Sequence, residues 1–460
     1  MATVIDAAVE SGRCIGCGVC AALCPRRKLE MHFDENALLV PRSIGQECPA
    51  GCSLCLSICP FVCEESTDAL AEELFDSYPQ IRHRADTGYY LKAYVGHVES
   101  QALRSTVASG GLTTAVLEGL LSKGDVENVI AVRPTGRVGS KMLFESAVVS
   151  TAEGLRECAG SCYYPVSFQT ALREAASSQS SYAIVGLPCV CRAVRLAQKK
   201  SPRLRNIRYV LALTCGTSKS TFFTDYIATT VGVEPKKVVR ICYRDKSRRL
   251  PVVQYPTRIA FRDKASGDIH YKYTTWLHGR IAAAFTTRLF SPLACNFCDD
   301  VFGECADATF MDAWLGNYGE QPLGTSIALF RNPALLERFM LLPGIRVDDI
   351  PIDQVIASQA GALDAKRIGL AVRYHDALRR GEVIPSVREH VLPPFRRIPL
   401  LRCWRYRLQH HMSRISFFCW RKSRGCPDLF WKLLWLPWQT YRVLGRVMRI
   451  FPKRLYQLRK

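Results

Sequence analysis

Between Leu91 and Val231 one hydrophobic rhythm recurs: an apolar run of strand length, a turn carrying Gly, Cys or Pro, then a helix. Lys92–Val98 reads as a strand. Ser109-Gly110-Gly111 precedes Leu112–Ser122, whose apolar residues fall at helical spacing, and Gly124 closes that helix. Val126–Val132 and Ser181–Val185 are buried-strand runs, the second followed by Gly186-Leu187-Pro188-Cys189 and a basic helix through Lys200. Tyr209–Leu213 is a further strand, followed by Thr214-Cys215-Gly216 and a helix through Val231. Strands alternating with helices predict an α/β body, in which ligands gather at the carboxyl ends of the strands. Residues 240–290 read as β-rich and irregular, and 320–394 as a helical finish with Leu335–Leu342 as one helix.

In front of this body the pattern is set by cysteine. Cys14, Cys17, Cys20 and Cys24 stand at C-x2-C-x2-C-x3-C with Pro25 behind them, the ferredoxin spacing for a 4Fe–4S cluster. Cys48, Cys52, Cys55 and Cys59, followed by Pro60, form a second run with one extra residue in its first gap. Two such runs imply a two-cluster domain. In its pseudo-twofold pairing Cys14, Cys17 and Cys20 share a cluster with Cys59, while Cys48, Cys52 and Cys55 share one with Cys24. A zinc knuckle is the competing reading, but three closely spaced cysteines plus C-x3-C-P fit poorly around one tetrahedral ion. Cys63 reads as a spare thiol. Ser109-Gly110-Gly111 at a helix start is a candidate phosphate cradle of backbone amides, with Thr113 adding a hydroxyl and Arg104 standing near in sequence.

At 460 residues the chain has room for two or three domains. Its 21 cysteines cluster at ligand spacings, and the first residues lack an apolar signal core, so a reducing cytoplasmic setting is expected. No apolar run reaches the ~18 residues of a spanning helix. The net charge of +21 is lopsided: residues 395–460 carry 17 Lys and Arg against the single acid Asp428. They also hold Trp404, Trp420, Trp431, Trp435 and Trp438, five of seven tryptophans. Basic residues interleaved with indoles suit an anionic membrane surface, and Pro427 and Pro437 interrupt any long helix. Single-stranded nucleic acid is the rival partner, disfavoured by the apolar run Leu429–Leu436.

Ser109-Gly110-Gly111, Gly186-Leu187-Pro188-Cys189, Cys215-Gly216, Cys295-x2-Cys298 and Ala306-Asp307 with Asp312-Ala313-Trp314 occur in this order. With the ferredoxin run in front, the chain resembles the coenzyme F420 hydrogenase/dehydrogenase beta-subunit family, whose members include 7-hydroxymethyl chlorophyll a reductase. The resemblance implies FAD, iron–sulfur clusters and an oxidoreductase that joins a hydride carrier to one-electron partners. It also implies a third 4Fe–4S cluster on Cys189, Cys215, Cys295 and Cys298, with Cys191 and Cys305 in reserve. FAD phosphates are expected at Ser109, Gly110, Gly111 and Thr113. Ferredoxin or coenzyme F420, a deazaflavin carrier, is the expected partner. An electron-transfer subunit of a membrane-associated or surface-polysaccharide-related complex is the alternative. Two departures stand out: Gly160-Ser161-Cys162-Tyr163 where the family commonly has Gly-Ser-Lys-Tyr, and Met311-Asp312-Ala313-Trp314 where it has Gly-Asp-x-Trp. No catalytic side chain stands out; His278 is a candidate proton donor near the flavin, more simply a structural histidine.

The expected architecture is α+β. A two-cluster ferredoxin-like domain occupies 1–65 and a linker 66–90. A mixed α/β FAD-binding body follows at 91–394, and a basic helical tail at 395–460.

Overall fold

A computed structural model describes residues 3–45, 48–49, 51–137, 139–263, 266–275, 279–385 and 387–450. His278 lies outside them. Among the described residues, fifteen strands form four sheets. The cysteine-rich region carries the hairpin β1 (Leu29–Phe33) and β2 (Leu39–Ser43), in antiparallel register from Leu29–Ser43 to Phe33–Leu39. The stretch 66–90 is not a bare connector. It forms the helix Thr67–Phe75 and the small hairpin β3 (Arg82–Arg84) and β4 (Gly88–Tyr90), and Phe75 is buried.

Eight strands build the central sheet: β5 (Lys92–Val98), β6 (Asn128–Pro134), β7 (Phe144–Val149), β8 (Tyr182–Gly186), β9 (Ile207–Leu213), β13 (Ala308–Asp312), β14 (Ser326–Phe330) and β15 (Ile345–Asp349). Their order is β15-β5-β14-β13-β9-β8-β6-β7. The pairings make β5, β6, β8, β9 and β13 run one way and β7, β14 and β15 the other. The three strands β10 (Val238–Cys242), β11 (Pro256–Arg262) and β12 (Ile269–Thr275) form a separate antiparallel sheet.

Side-chain alternation divides the central sheet into two buried faces. Ile130, Ile184, Val210 and Ala212 pack with the helices Gln169–Ala175 and Pro188–Lys200 and with Val19, Leu23 and Ile58 of the cysteine-rich region. Val129, Ala131, Ala183, Leu211, Ala308 and Phe310 face the other way, onto the helices Leu112–Ser122 and Pro333–Met340. The cysteine-rich region is therefore seated on the body. Phe168 N–H donates to Cys17 O at 2.9 Å. Gly18, at φ +78°, lies so close to the body that a Cβ there would stand 2.2 Å from Ser167 Oγ.

Two expectations are corrected. Residues 320–394 are not simply helical, because β14 and β15 cross the sheet there. The run Ser326–Phe330 is buried on both faces and lacks the alternation that marks a half-buried strand. The C-terminal segment is helical but not a detached tail. The helix Leu400–Lys422 buries Met412, Cys419 and Trp420, and Pro427–Leu433 buries Phe430 and Trp431, in one core with Phe223, Tyr226 and Phe290. Trp431 Nε1 donates to Tyr226 Oη at 2.9 Å. Pro427 opens its helix, as a proline in a first turn can.

Candidate redox site at the strand ends

The parallel strands deliver the site. The carboxyl ends of β5, β13, β9 and β8 lie along one edge of the sheet and carry the family-like motifs: Ser109-Gly110-Gly111 beyond β5, Asp312 to Trp314 on β13, Thr214-Cys215 after β9 and Cys189 after β8. Cys189 sits in the first turn of Pro188–Lys200, where Pro188 needs no N–H partner.

The structure brings Cys189, Cys215, Cys295 and Cys298 together from three segments. Burial pushes the Cys189 thiol well above its ordinary range, and the neighbouring charges of Cys215, Cys298, Cys295 and also Cys17 push the same way. Burial raises Cys215 to about 12; Lys366 opposes this, and Cys295 and Cys298 add to it. Bare thiolates are thus unfavourable here, and a bound cation reverses that balance by deprotonating coordinating thiols outright. Lys366 is buried with its Nζ 3.2 Å from Cys298 Sγ. Arg288 holds the surrounding loops in register, donating to Gly216 O, Cys295 O and Asn296 Oδ1. Beneath the turn, Arg388 bridges Glu304 at 2.7 Å, Asp68 at 2.9 Å and Asp299 at 3.1 Å.

In the cysteine-rich region the thiols lie close enough to act on one another's charge. Burial raises Cys20 well above its normal range, helped by Cys17, Cys14, Cys59 and Cys55 in that order. Burial raises Cys14 to about 12, with Cys17 adding to it. Cys55 is raised first by burial and then by Cys48, Cys52 and Cys24. Cys55 thus stands close to both groups, among Cys48, Cys52 and Cys24 on one side and Cys20 on the other. Cys17 and Cys189 both pack against the core between region and body. Among the described residues no group of three or more His, Cys, Asp or Glu side chains is gathered tightly enough to hold a metal ion. Cys63 and Cys305 are buried, and Cys191 donates to Leu211 O at 3.4 Å.

Beyond Cys215 the site becomes cationic and aromatic. Arg244 forms a two-pronged ion pair with Asp312, at 2.8 and 3.1 Å, and lies over the rings of Tyr255 and Trp314. Tyr163 stands edge-on to Tyr243 and Phe285; burial raises its hydroxyl, with Arg244, Asp312 and Cys215 all close enough to act on it. Thr214 Oγ1, next to Cys215, is buried without a hydrogen-bond partner among the described residues. Cys162, at the motif's departure, is a buried thiol raised to about 12 by burial.

The Ser109-Gly110-Gly111 turn differs from a free phosphate cradle. Gly110 N–H already donates to Ser326 Oγ at 2.9 Å, and Ser109 Oγ to Thr325 O at 2.9 Å. These two residues fasten the turn to β14. Gly111, at φ +90°, caps the helix Leu112–Ser122 without a side-chain hydrogen bond to the amides of that first turn, which include Thr113. Lys246 Nζ donates to Ser109 O at 2.7 Å, Arg104 O at 2.9 Å and Leu323 O at 2.8 Å. Burial and then Arg244 depress Lys246 to about 7, although three carbonyl acceptors favour its ammonium form. Arg104 is tied to Gly324 O.

Lys366, Arg288, Arg244 and Lys246 carry no motif, and spacing gives no sign of them. Asp307, by contrast, lies in a motif yet proves structural: it accepts from Arg195 and from Val210 N–H, both at 2.7 Å, joining β9 to the helix behind it.

Residues 93–173 match the model for the N-terminal part of the beta subunit of coenzyme F420 hydrogenase/dehydrogenase. Residues 179–340 match its companion for the C-terminal part of the same protein. The chain belongs to this family. The family's two regions thus cover the central sheet apart from its edge strand β15, and nearly all of the strand-end site. A coenzyme F420-dependent sulfite reductase from Methanocaldococcus jannaschii is 30% identical over 224 residues, 45% of this chain and 31% of that protein. The F component of the F420H2 dehydrogenase from Methanosarcina mazei, one of its subunits, is 23% identical over 197 residues, 42% of this chain and 50% of that protein. The matched segments thus span 31% to 50% of these relatives. A chain of the F420-reducing [NiFe] hydrogenase complex from Methanosarcina barkeri superposes with a TM-score of 0.48 at 15% identity, covering 67% of this chain and 98% of that one, a likeness too weak to argue from.

Proposed function

We propose that the chain is an iron–sulfur flavoprotein oxidoreductase that passes electrons between 4Fe–4S clusters and a hydride-type donor or acceptor such as coenzyme F420, with ferredoxin as a one-electron partner. The observation that carries this reading is the run of thiol sets through the fold. Cys48, Cys52, Cys55 and Cys24 neighbour Cys14, Cys17, Cys20 and Cys59, and Cys17 neighbours Cys189 of the body set. A cube distributes its thiolates over separate irons, so its cysteines need not converge on one point as zinc ligands do. The residues therefore suit three clusters better than single ions.

FAD is the group proposed at the strand ends. When bound, it supplies chemistry that exchanges electrons in pairs with a hydride carrier and singly with a cluster. The unpartnered Thr214 hydroxyl and the Tyr163–Arg244 wall would hold its ring, and the first-turn amides at Gly111 and Thr113 its phosphates. Arg244, fixed by Asp312, holds positive charge beside that position. Anaerobic purification with iron, sulfide and flavin analysis tests the reading: 8 to 12 irons with matching sulfide and FAD are expected. Zinc with little sulfide refutes it.

The name of the Methanosarcina mazei relative, a dehydrogenase subunit, supports a second reading as an electron-transfer subunit without its own substrate. Turnover of the isolated chain with reduced coenzyme F420 separates the two. The 21 cysteines are all free thiols, in keeping with the reducing cytoplasm proposed here.

Membrane-surface binding is proposed for the last described helix, Trp435–Ile450, which exposes Trp435, Leu436, Val443 and Ile450 and carries Arg442, Arg446 and Arg449. Among the described residues no helix is long and apolar enough to cross a membrane. Co-sedimentation with anionic vesicles at low salt, for the full chain and a truncation after Leu434, tests this. Equal pelleting of both, or of neither, removes the helix from the reading. Single-stranded nucleic acid held more tightly than lipid would reverse the choice of partner.

A further inference from the structure

We infer that the chain has an anion site of its own, away from the strand ends, built for a compact molecule bearing two or more phosphates. A cavity of about 670 Å³ opens between the helices Ile368–Arg379 and Leu400–Lys422. Arg373, Arg379, Arg380, Arg407, His410 and Arg414 line it. Its volume is that of a small-molecule site, but charged and imidazole side chains line it where such sites use mostly hydrophobic ones, with Ile415 the aliphatic residue among them. A pocket whose walls are guanidinium groups selects its ligand by charge, and the planar fork of arginine matches phosphate oxygens two at a time.

The charge is not balanced from within. Asp376 takes both prongs of Arg407 at 2.7 Å, and Glu382 pairs with Arg380 at 2.7 Å. Among the described residues no acid lies within ion-pair distance of Arg373, Arg379 or Arg414. The residues outside the description contain a single acid, Glu47. Arg373 is the stronger sign. It is only 2% exposed, donates from Nε to Asn296 O at 2.7 Å and from Nη2 to Ala365 O at 2.8 Å, and its Nη1 has no partner among the described residues. His410 Nδ1 is likewise buried and unpartnered. Leaving a buried guanidinium donor unsatisfied among like charges is costly, and a multivalent anion would satisfy both needs at once. Arg379, Arg380 and Arg414 are exposed at the rim and His411 beside them, which leaves a way in. Through Asn296, the pocket also backs onto the turn between Cys295 and Cys298.

The test is calorimetric titration of the purified full chain with sodium tripolyphosphate at physiological salt, kept anaerobic. Saturable binding is expected, with a rise in melting temperature as the ligand is added. The double variant Arg379→Gln, Arg414→Gln removes two rim cations and should weaken binding at least about tenfold, since a single charge-assisted hydrogen bond contributes that much. The double variant Arg240→Gln, Arg262→Gln, which changes exposed arginines elsewhere, should bind as the parent does. Absence of saturable binding, or equal loss in both double variants, overturns the site. A phosphate cluster can also arrive on a lipid headgroup. Retention on vesicles carrying a bisphosphorylated inositol lipid, displaced by tripolyphosphate, assigns the headgroup; calorimetric binding without vesicle retention assigns a soluble ligand.

Discussion

Gly18→Ala is the substitution that most directly questions how the cysteine-rich region meets the body. Gly18 adopts φ +78°, where an L-residue costs roughly 1–2 kcal/mol. Its added Cβ would stand 2.2 Å from Ser167 Oγ and 3.0 Å from Gln169 N. Ser167 cannot simply turn aside, because its hydroxyl accepts from Gln169 N–H at 3.1 Å. Overpacking of this kind costs about 1–3 kcal/mol. Backing the loop away also stretches the Phe168–Cys17 hydrogen bond, a further loss of about 1 kcal/mol. The expected total is about 3–6 kcal/mol. Gly124→Ala is the matched control: Gly124 has φ +70° but open space where its Cβ would go, so only the backbone part, about 1–2 kcal/mol, applies. The assay is urea unfolding of both variants, with limited proteolysis to detect release of residues 1–65 and iron analysis to show that the ligands survive. If Gly18→Ala loses no more stability than Gly124→Ala and resists protease equally, the close seating of this loop on the body is wrong.

Three further outcomes are expected. Lys366→Met removes the buried cation 3.2 Å from Cys298 Sγ and should move the body centre to a more negative midpoint potential, followed by redox titration of its paramagnetic signal; an unchanged potential with iron retained would count against a cluster at this position. Gly110→Val should destabilise the fold, on the order of 3 kcal/mol or more, with or without added FAD. A Cβ at Gly110 meets the backbone at Gly96 O (2.6 Å) and Ser326 N (2.7 Å), so a melting scan showing parent-like stability with flavin selectively lost would restore the phosphate role of that amide. Asp225 is raised to about 7 by burial, so between about pH 4 and pH 7 the folded state holds a proton that the unfolded chain has released. This contribution lowers stability as pH rises through that window and is flat above it, and urea midpoints for Asp225→Asn should lack that share of the slope.

What the sequence determined alone is what neighbouring residues decide together. Lys92–Val98 and Leu112–Ser122 form the elements read from the sequence: the strand is buried on both faces and the helix buries its apolar stripe. The two cysteine runs are legible because their short, fixed spacings are a local feature of the chain. The resemblance carried by ordered short motifs was legible for the same local reason, and the family models match it. Other features required the folded chain. After Ser326 the run to Phe330 is apolar, which fits a buried helix turn as well as a central strand, and only its pairing with Ala308–Asp312 and Lys92–Val98 decides. Gly110 looks like a free amide until Ser326, more than two hundred residues away, takes its N–H. Trp420 and Trp431 look like membrane anchors until Tyr226 and Phe290 enclose them. Lys366 and Arg373 stand beside the Cys295–Cys298 turn only because distant helices bring them there, and a charge's neighbours in space leave no periodic trace along the chain.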